Sequence, residues 1–318
     1  MKKNHAQVIV SGLLLIGFFY VVDAAEIISV ISTIDIWTFL VACIFSVCGN
    51  FACAFRWTKL LNYNSRIEVR RAFKAYFESI SFSTVIPLGI IGGDFYRSVR
   101  IIPRRTVGAP SSKMHMSKEI ILSVITDRIH GFWALCLIAA VTILAYSALF
   151  ELDNAFVIGD LKFGLDNMFS IYLLFIIVVV VTPWISSKTQ AFFFDQSSAQ
   201  SKLITNFMIR SKLKTVIFTS IISQLLFAGS FFYCLNATNV DISIYQCFMI
   251  VPIIFLCAAV PLSLAGFGPR EYGAAIILSS LGFTLEKSVA SSILFGLTIT
   301  LQGIGFLFIN LIFSSKDR

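Results

Sequence analysis

Charged residues are scarce in this sequence. They make up 13% of its 318 residues, whereas 57% are hydrophobic and the mean hydropathy is +0.86. Soluble globular domains carry about 25% charged residues, and no hydrophilic block here is long enough to form one. About eight apolar stretches are present, and a membrane span needs roughly 20 apolar residues. We therefore expect an all-α polytopic membrane protein with a single integral domain over residues 1–318.

Motifs for metal binding and for hydrolysis are also missing. The seven cysteines lie in apolar segments and no two have CxxC spacing, which argues against a metal site or disulfides. The sequence contains no HExxH motif, no DxxD pair and no Ser/His/Asp grouping. We expect no cofactor and no enzymatic activity of the chain's own. The net charge of +8 does not predict nucleic-acid binding here. The positions of the charges along the chain instead indicate how the protein is oriented in the membrane.

Positive charges are confined to five parts of the chain. All but four of the 25 lysines and arginines lie at residues 2–3, 56–74, 97–118, 188–214 and 316–318. The loops between these parts carry mainly aspartate and glutamate. Cytoplasmic loops of membrane proteins hold an excess of lysine and arginine. We therefore predict a multi-pass protein of the cytoplasmic (inner) membrane with both termini in the cytoplasm.

The alternation of charge predicts about six full spans. They cover residues 8–22, 36–55, 118–149, 165–185, 215–236 and 288–313. Residues 8–22 are interpreted as a retained first helix and not as a cleaved signal peptide. Residues 196–214 have apolar residues at helical spacing, which predicts an amphipathic helix on the cytoplasmic interface; an ordinary loop helix is the alternative.

Two further apolar regions each begin and end on the same side of the membrane, because the loops that flank each of them are assigned to the same side. Residues 72–100 enter from the cytoplasm and residues 243–283 from outside, as re-entrant hairpins or as pairs of short spans. Residues 72–86 would reach about 22 Å as a helix, short of a hydrocarbon core of about 30 Å. This favours re-entrant hairpins.

The two hairpin regions resemble each other at their centres. Pro87 begins PLGIIGGDFYR and Pro261 begins PLSLAGFGPRE. Matched Pro/Gly breaks of opposite orientation are typical of inverted-repeat transporters, whose site lies between the breaks. Backbone amides at such helix ends favour an anion, and glycine lets a headgroup approach the backbone closely. The predicted substrate-binding residues are Gly92, Gly93, Asp94, Arg97, Arg100, Gly266, Gly268, Arg270 and Glu271. The alternatives are a structural ion pair for Arg270 and Glu271, and a cytoplasmic charge near anionic headgroups for Arg100.

Other charged residues within the apolar segments are candidates for a supporting role. Glu78, Asp127, Arg128 and His130 are predicted to surround the site or to couple it to protons, and a structural polar network is the alternative. Arg128 or Arg270 is a candidate partner for Glu78, and the alternative is an acid whose side chain extends to the membrane interface. Arg56 and Trp57 end the second span with a pattern typical of interfacial anchors.

Four stretches together resemble the membrane region of the lysylphosphatidylglycerol synthase and flippase family. They are AFRWTKLL (54–61), TVIPLGIIGGDFYRSVRI (84–101), TDRIHGFWAL (126–135) and VPLSLAGFGPREYGA (260–274). The resemblance implies translocation of, or work on, anionic or carrier-linked lipids. Synthase members have a soluble aminoacyl transferase domain after the membrane region, and this sequence stops at Arg318, so we do not expect lipid aminoacylation by this chain alone.

The expected function is a flippase that moves an anionic phospholipid or a polyprenyl-phosphate-linked lipid, with its headgroup bound between the two breaks. The alternatives are a membrane-embedded lipid-modifying enzyme and a non-transporting partner of a separate glycosyltransferase or synthase. The expected partners are the lipid and the membrane. A lipid-modifying enzyme as partner and a homo-oligomer are both left open.

Overall fold

The computed structural model describes residues 24–61, 68–85, 89–102, 110–149, 156–158, 161–163, 199–258 and 268–314. These residues form helices and one short strand pair. The helices are α1 (Ala24–Ser32), α2 (Ile36–Leu61), α3 (Val69–Val85), α4 (Gly89–Ile101), α5 (Pro110–Leu149), α6 (Ala199–Ala237), α7 (Ile244–Ala258), α8 (Pro269–Ser280) and α9 (Leu285–Ser314). Strand β1 (Phe156–Ile158) pairs antiparallel with β2 (Leu161–Phe163).

Four described helices are long and apolar enough to cross a membrane. The spans are Ile36–Leu61, Ile120–Thr142, Lys214–Ala237 and Leu285–Asn310, and Ile244–Ala258 is a shorter apolar helix. This confirms a polytopic helical membrane protein. The predicted spans at 8–22 and 165–185 lie outside the described residues. Residues 199–214 of the predicted interfacial helix are helical and continue without a break into the span of α6.

Helices α2 and α6 form the central pair, and they run antiparallel. The amide of Asp35 donates to the carbonyl of Ala237 at one end, and Arg56 bonds Ser220 and Ser223 at the other. Between these ends, the ring of Phe45 fills the space beside Gly229 in α6, just as the ring of Phe227 fills the space beside Gly49 in α2. A glycine on each helix therefore accepts a phenylalanine from the other, which brings the two backbones close together.

Hydrogen bonds also show how α5 and α9 run relative to α2. Helix α9 runs parallel to α2, because Thr298 bonds Ser46 and Gln302 bonds Asn50. Helix α5 runs the other way: its Asp127 bonds Arg56 near the end of α2, whereas its Thr142 bonds Phe248 in α7. Helix α7 packs with the opposite end of α2 in one apolar core. The relative directions of α2, α5, α6 and α9 are those that the charge pattern predicts.

The helices pack in two matching sets. Helix α3 contacts α4 and α9, while α7 contacts α8 and α5; helix α4 contacts α5, while α8 contacts α9. If α2, α3, α4 and α5 are taken as equivalent to α6, α7, α8 and α9 in that order, each of these contacts in one set has its counterpart in the other. Because α2 and α6 run oppositely, and so do α5 and α9, the two halves have the arrangement of an inverted repeat.

Each hairpin consists of two short helices. The lengths are 17 and 13 residues for α3 and α4, and 15 and 12 residues for α7 and α8. At 1.5 Å per residue the longest arm reaches about 26 Å, which is less than the hydrocarbon core of about 30 Å. Both predicted proline breaks, at Pro87 and Pro261, lie outside the described residues.

Candidate functional site

Five charged side chains from three helices meet near the end of α2, and we call them the first cluster. They are Arg56 from α2, Asp94 and Arg97 from α4, and Asp127 and Arg128 from α5. Three arginines against two carboxylates leave one positive charge. Because this group lies among membrane helices, where uncompensated charge is costly, a net positive cluster is suited to holding an anion.

Arg97 lies at the centre of the first cluster and is 1% exposed. Its Nη2 is 2.9 Å from Asp94 and 3.1 Å from Asp127. Its Cζ lies 4.8 Å from the ring centroid of Trp57 and 5.4 Å from that of Tyr76, so two aromatic faces support the guanidinium. Within the described residues no group accepts a hydrogen bond from its Nη1. A buried donor left in this way costs free energy until a ligand satisfies it.

The predicted interfacial anchoring of Arg56 and Trp57 is wrong, because both side chains are buried. Arg56 Nε is 2.7 Å from Asp127 Oδ1, and its Nη1 donates to Ser220 and Ser223 of α6. Trp57 is fully buried and donates from Nε1 to Ser123. Arg56 therefore belongs to the site. The sequence carries no signal that separates this role from anchoring, because Arg56 stands at the end of an apolar run in either case.

Glu78 does not find the partner that the sequence suggested. It pairs with Arg100 at 2.7 Å, and not with Arg128 or Arg270. The Arg100 side chain is 47% exposed, so this pair joins α3 to α4 beside the first cluster and not within it. His130 is buried, and its Nδ1 lies 2.8 Å from the carbonyl of Thr126.

A glycine after the first break, Gly93, brings α4 close to α3. Gly92 and Gly93 are both buried. A Cβ at Gly93 would meet the hydroxyl of Ser83 and would lie 3.1 Å from the carbonyl of Ser79. Gly93 thus serves helix packing, and it places the following Asp94 and Arg97 against α5.

The second cluster lies at the start of α8 and consists of Gly268, Arg270, Glu271, Ser292 and Phe295. Arg270 and Glu271 are 7% and 3% exposed and pair at 2.6 Å. Arg270 also donates to Ser292 and lies over the ring of Phe295 in α9. The mutual pairing of Arg270 and Glu271 is one of the arrangements that membrane burial predicts.

Local backbone chemistry positions the second cluster. Gly268 has φ +117°, which L side chains rarely adopt, and nothing lies within 4 Å of where its Cβ would be. Its amide donates to Glu271 Oε2 at 2.7 Å, so the carboxylate caps α8. Pro269 begins α8, the position at which its missing amide hydrogen has no cost. Gly266, the other predicted glycine, lies outside the described residues.

A line of neutral polar side chains extends between the two clusters, and we call it the polar seam. It consists of Ser46, Asn50, Tyr76, Thr298 and Gln302. Gln302 accepts a hydrogen bond from Asn50 at 2.9 Å and donates one to Ser46 at 2.8 Å. Thr298 donates to Ser46 at 2.9 Å, and Tyr76 donates to Asn50 at 3.5 Å.

The polar seam lies along α9 and α2. Ser292 of the second cluster and Gln302 are about 15 Å apart along α9, and Asn50 and Arg56 are about 9 Å apart along α2. The two clusters therefore lie towards opposite ends of the helix bundle. Sequence reasoning missed the seam because isolated Ser, Thr, Asn and Gln residues are common in membrane helices.

Residues 5–304 match a family model described as the lysylphosphatidylglycerol synthase TM region. The match covers the first cluster, the second cluster and the polar seam. No curated protein matches the chain.

Proposed function

Because the chain belongs to the lysylphosphatidylglycerol synthase transmembrane-region family, we propose that it is a flippase that moves an anionic phospholipid or a polyprenyl-phosphate-linked lipid across the cytoplasmic membrane. In this proposal the chain is a carrier and not an enzyme. Both termini lie in the cytoplasm, so the first cluster faces the inner leaflet and the second cluster the outer leaflet.

The observation that carries this proposal is the placement of the two buried arginine clusters. Arg97 and Arg270 follow the two breaks, each in an equivalent helix of the inverted arrangement, and each is paired with a carboxylate and supported by an aromatic ring. An arginine fork suits phosphate oxygens. Two such sites towards opposite ends of the bundle fit the capture of a phosphate group at one leaflet and its release at the other.

The polar seam supports a route between the clusters. Its members are neutral, and they offer amide and hydroxyl groups between the two charged clusters. A headgroup leaving Arg97 would meet Tyr76, then Asn50 and Gln302, before it reaches the level of Arg270. Rocking of α3 and α4 against α7 and α8 would open one cluster while closing the other, as in other inverted-repeat carriers.

Reconstitution in proteoliposomes tests this function. Fluorescently labelled phosphatidylglycerol and a labelled polyprenyl phosphate are placed in both leaflets, and chemical quenching from outside reports exchange. We expect exchange above that of empty vesicles, with and without an imposed proton gradient. Arg97→Ala and Arg270→Ala should each lower the initial rate at least about 10-fold, because a charge-assisted hydrogen bond contributes about 1.5 to 3 kcal/mol. Lys214→Ala, at an exposed lysine, is the matched control.

The same preparation separates the alternatives. No exchange with any anionic lipid would contradict a flippase. Chemical conversion of the lipid by the purified protein would identify an enzyme instead. If both alanine variants stayed folded and kept full function in cells, a non-transporting partner of a lipid-modifying enzyme would be the better description.

A further inference from the structure

One face of α5 is exposed and apolar except for a single arginine. Its residues are spaced by four, three and four positions, which places them on one side of a helix: Ile121, Ile125, Arg128 and Phe132. The three apolar members are 48% to 51% exposed, and the Arg128 side chain is 54% exposed. Phe95 and Val99 of α4, 68% and 52% exposed, extend this surface, which we call the α4–α5 face.

On this face Arg128 lies within the candidate membrane span of α5. It is eight residues into the span that begins at Ile120, or about 12 Å along the helix. A charge there needs a counter-charge, and Asp94 supplies it: Arg128 Nε and Nη2 donate to the two carboxylate oxygens at 2.8 and 2.7 Å. This two-pronged geometry is also the one in which arginine binds phosphate.

Asp94 accepts hydrogen bonds from Arg97 and Arg128, and Arg97 has one further N–H group without an acceptor among the described residues. Its Oδ1 accepts from both Arg97 and Arg128, while Arg97 Nη1 has no acceptor in the described part of the chain. The first cluster has one positive charge in excess. One phosphodiester carries one negative charge, so a single such group would neutralise the cluster.

Within the first cluster, Arg128 is the arginine that lies open at the protein surface. Its side chain is 54% exposed, whereas Arg97 and Arg56 are 1% and 4% exposed. In the other half Arg270, which corresponds to Arg97, is also buried. A lipid beside α4 and α5 would therefore meet Arg128 first.

We propose that the α4–α5 face is a lateral port for a phosphodiester lipid, and that the lipid phosphate replaces Asp94 on Arg128 while it also accepts from Arg97 Nη1. The acyl chains would lie along the apolar residues of the face. This inference rests on the proposed function and adds the route of entry, the charge of the headgroup and the role of Asp94 as a displaceable counter-charge.

Binding to the full-length protein in a non-ionic detergent, which carries no phosphate, tests the role of Asp94. The probe is short-chain phosphatidylglycerol, with glycerol phosphate and inorganic phosphate as separate arms. If Asp94 competes with the lipid, Asp94→Asn should tighten lipid binding at least about 3-fold, and Arg128→Gln should weaken it at least about 10-fold. Glu68→Gln, at an exposed carboxylate that precedes α3, should leave it unchanged.

Weaker or unchanged lipid binding by a folded Asp94→Asn variant would overturn the displacement. Equal competition by inorganic phosphate would overturn the assignment to a lipid. Either of these two binding results, together with transport of phosphatidylglycerol by the wild-type protein in vesicles, would overturn the lateral port and leave the proposed flippase function standing. If wild-type protein neither binds nor transports any anionic lipid, both fail.

A second measurement uses the unmodified protein, so it does not depend on how a variant folds. Photoactivatable phosphatidylglycerol should form adducts concentrated on Phe95, Val99, Ile121 and Ile125, and unlabelled phosphatidylglycerol should compete with them. Photoactivatable diacylglycerol serves as the control, because it has acyl chains and no phosphate. The same distribution of adducts with both lipids would contradict the port.

Discussion

Arg56 and Asp127 form a buried ion pair in which Nε of the guanidinium lies 2.7 Å from Oδ1 of the carboxylate, with side chains 5% and 3% exposed. The other carboxylate oxygen of Asp127 accepts from Arg97. One acid thus joins α2 to the α4 arm of the first hairpin. Arg56 keeps Asp127 in place from the central helix pair, and Asp127 in turn orients Arg97 for a ligand.

Replacing Asp127 should therefore damage stability and function together. Asp127→Asn leaves Arg56 without its carboxylate partner and leaves Arg97 with Asp94 alone, and loss of one member of a buried pair costs about 3 to 5 kcal/mol. We expect a lower midpoint in thermal unfolding of the detergent-solubilised protein and loss of lipid exchange. Asp241→Asn, at an exposed acid between α6 and α7, should leave both unchanged. Retention of wild-type stability by Asp127→Asn would contradict the role of Asp127 in joining α2 to α4.

Two glycines in α9, two positions apart, should differ in their tolerance of a side chain. A Cβ at Gly303 would meet Thr84 of α3, and the Gly303 carbonyl accepts from Ser81 at 2.7 Å. Gly305 has nothing within 4 Å of where its Cβ would be. Gly303→Leu should lower the free energy of unfolding by about 1 to 3 kcal/mol through overpacking, whereas Gly305→Leu should not. Equal effects in a denaturant titration would contradict the close approach of α3 to α9.

The polar seam should show coupling between its two amides. Asn50 donates to Gln302 across α2 and α9 at 2.9 Å, and interhelical hydrogen bonds in membranes contribute about 0.6 kcal/mol on average and at most about 1.7 kcal/mol. A double-mutant cycle with Asn50→Leu and Gln302→Leu should give a coupling energy in that range. Additive effects would mean that the two amides do not bond, and unchanged lipid exchange in the double variant would remove the seam from the route.

The orientation of the chain is open to a direct test. A single cysteine is placed either at Ser243, an exposed residue before α7, or at Glu68, an exposed residue before α3, with the native exposed Cys48 replaced by alanine. A membrane-impermeant maleimide should label position 243 in intact cells and position 68 only after the inner membrane is permeabilised. The reverse pattern would invert the predicted topology and exchange the leaflets that the two clusters serve.

Much of the fold could be predicted from composition and charge. A span is set by about 20 apolar residues and its direction by flanking lysine and arginine, both of which are local properties of the sequence. The helix boundaries differ from the predicted ones mainly at polar ends, such as the start of α5 at Pro110 and of α6 at Ala199, because helical backbone continues beyond the apolar core.

The candidate site could be predicted only in part. Asp94, Arg97, Arg270 and Glu271 were found because charges beside Pro/Gly breaks in apolar segments are costly and visible in the sequence. Arg56 was misinterpreted, because an arginine near the end of a span has the same local pattern whether it faces headgroups or a carboxylate in another helix.

By itself the sequence determined that this is a polytopic helical protein with two interrupted hairpins, an alternation of helix directions and arginines after each break. Only the tertiary structure decided that Asp127 serves both Arg56 and Arg97, that Glu78 pairs with Arg100, and that Asn50 meets Gln302. These partners are 22 to 252 positions apart. Their pairing depends on the rotation and register of packed helices, which no local pattern of residues specifies.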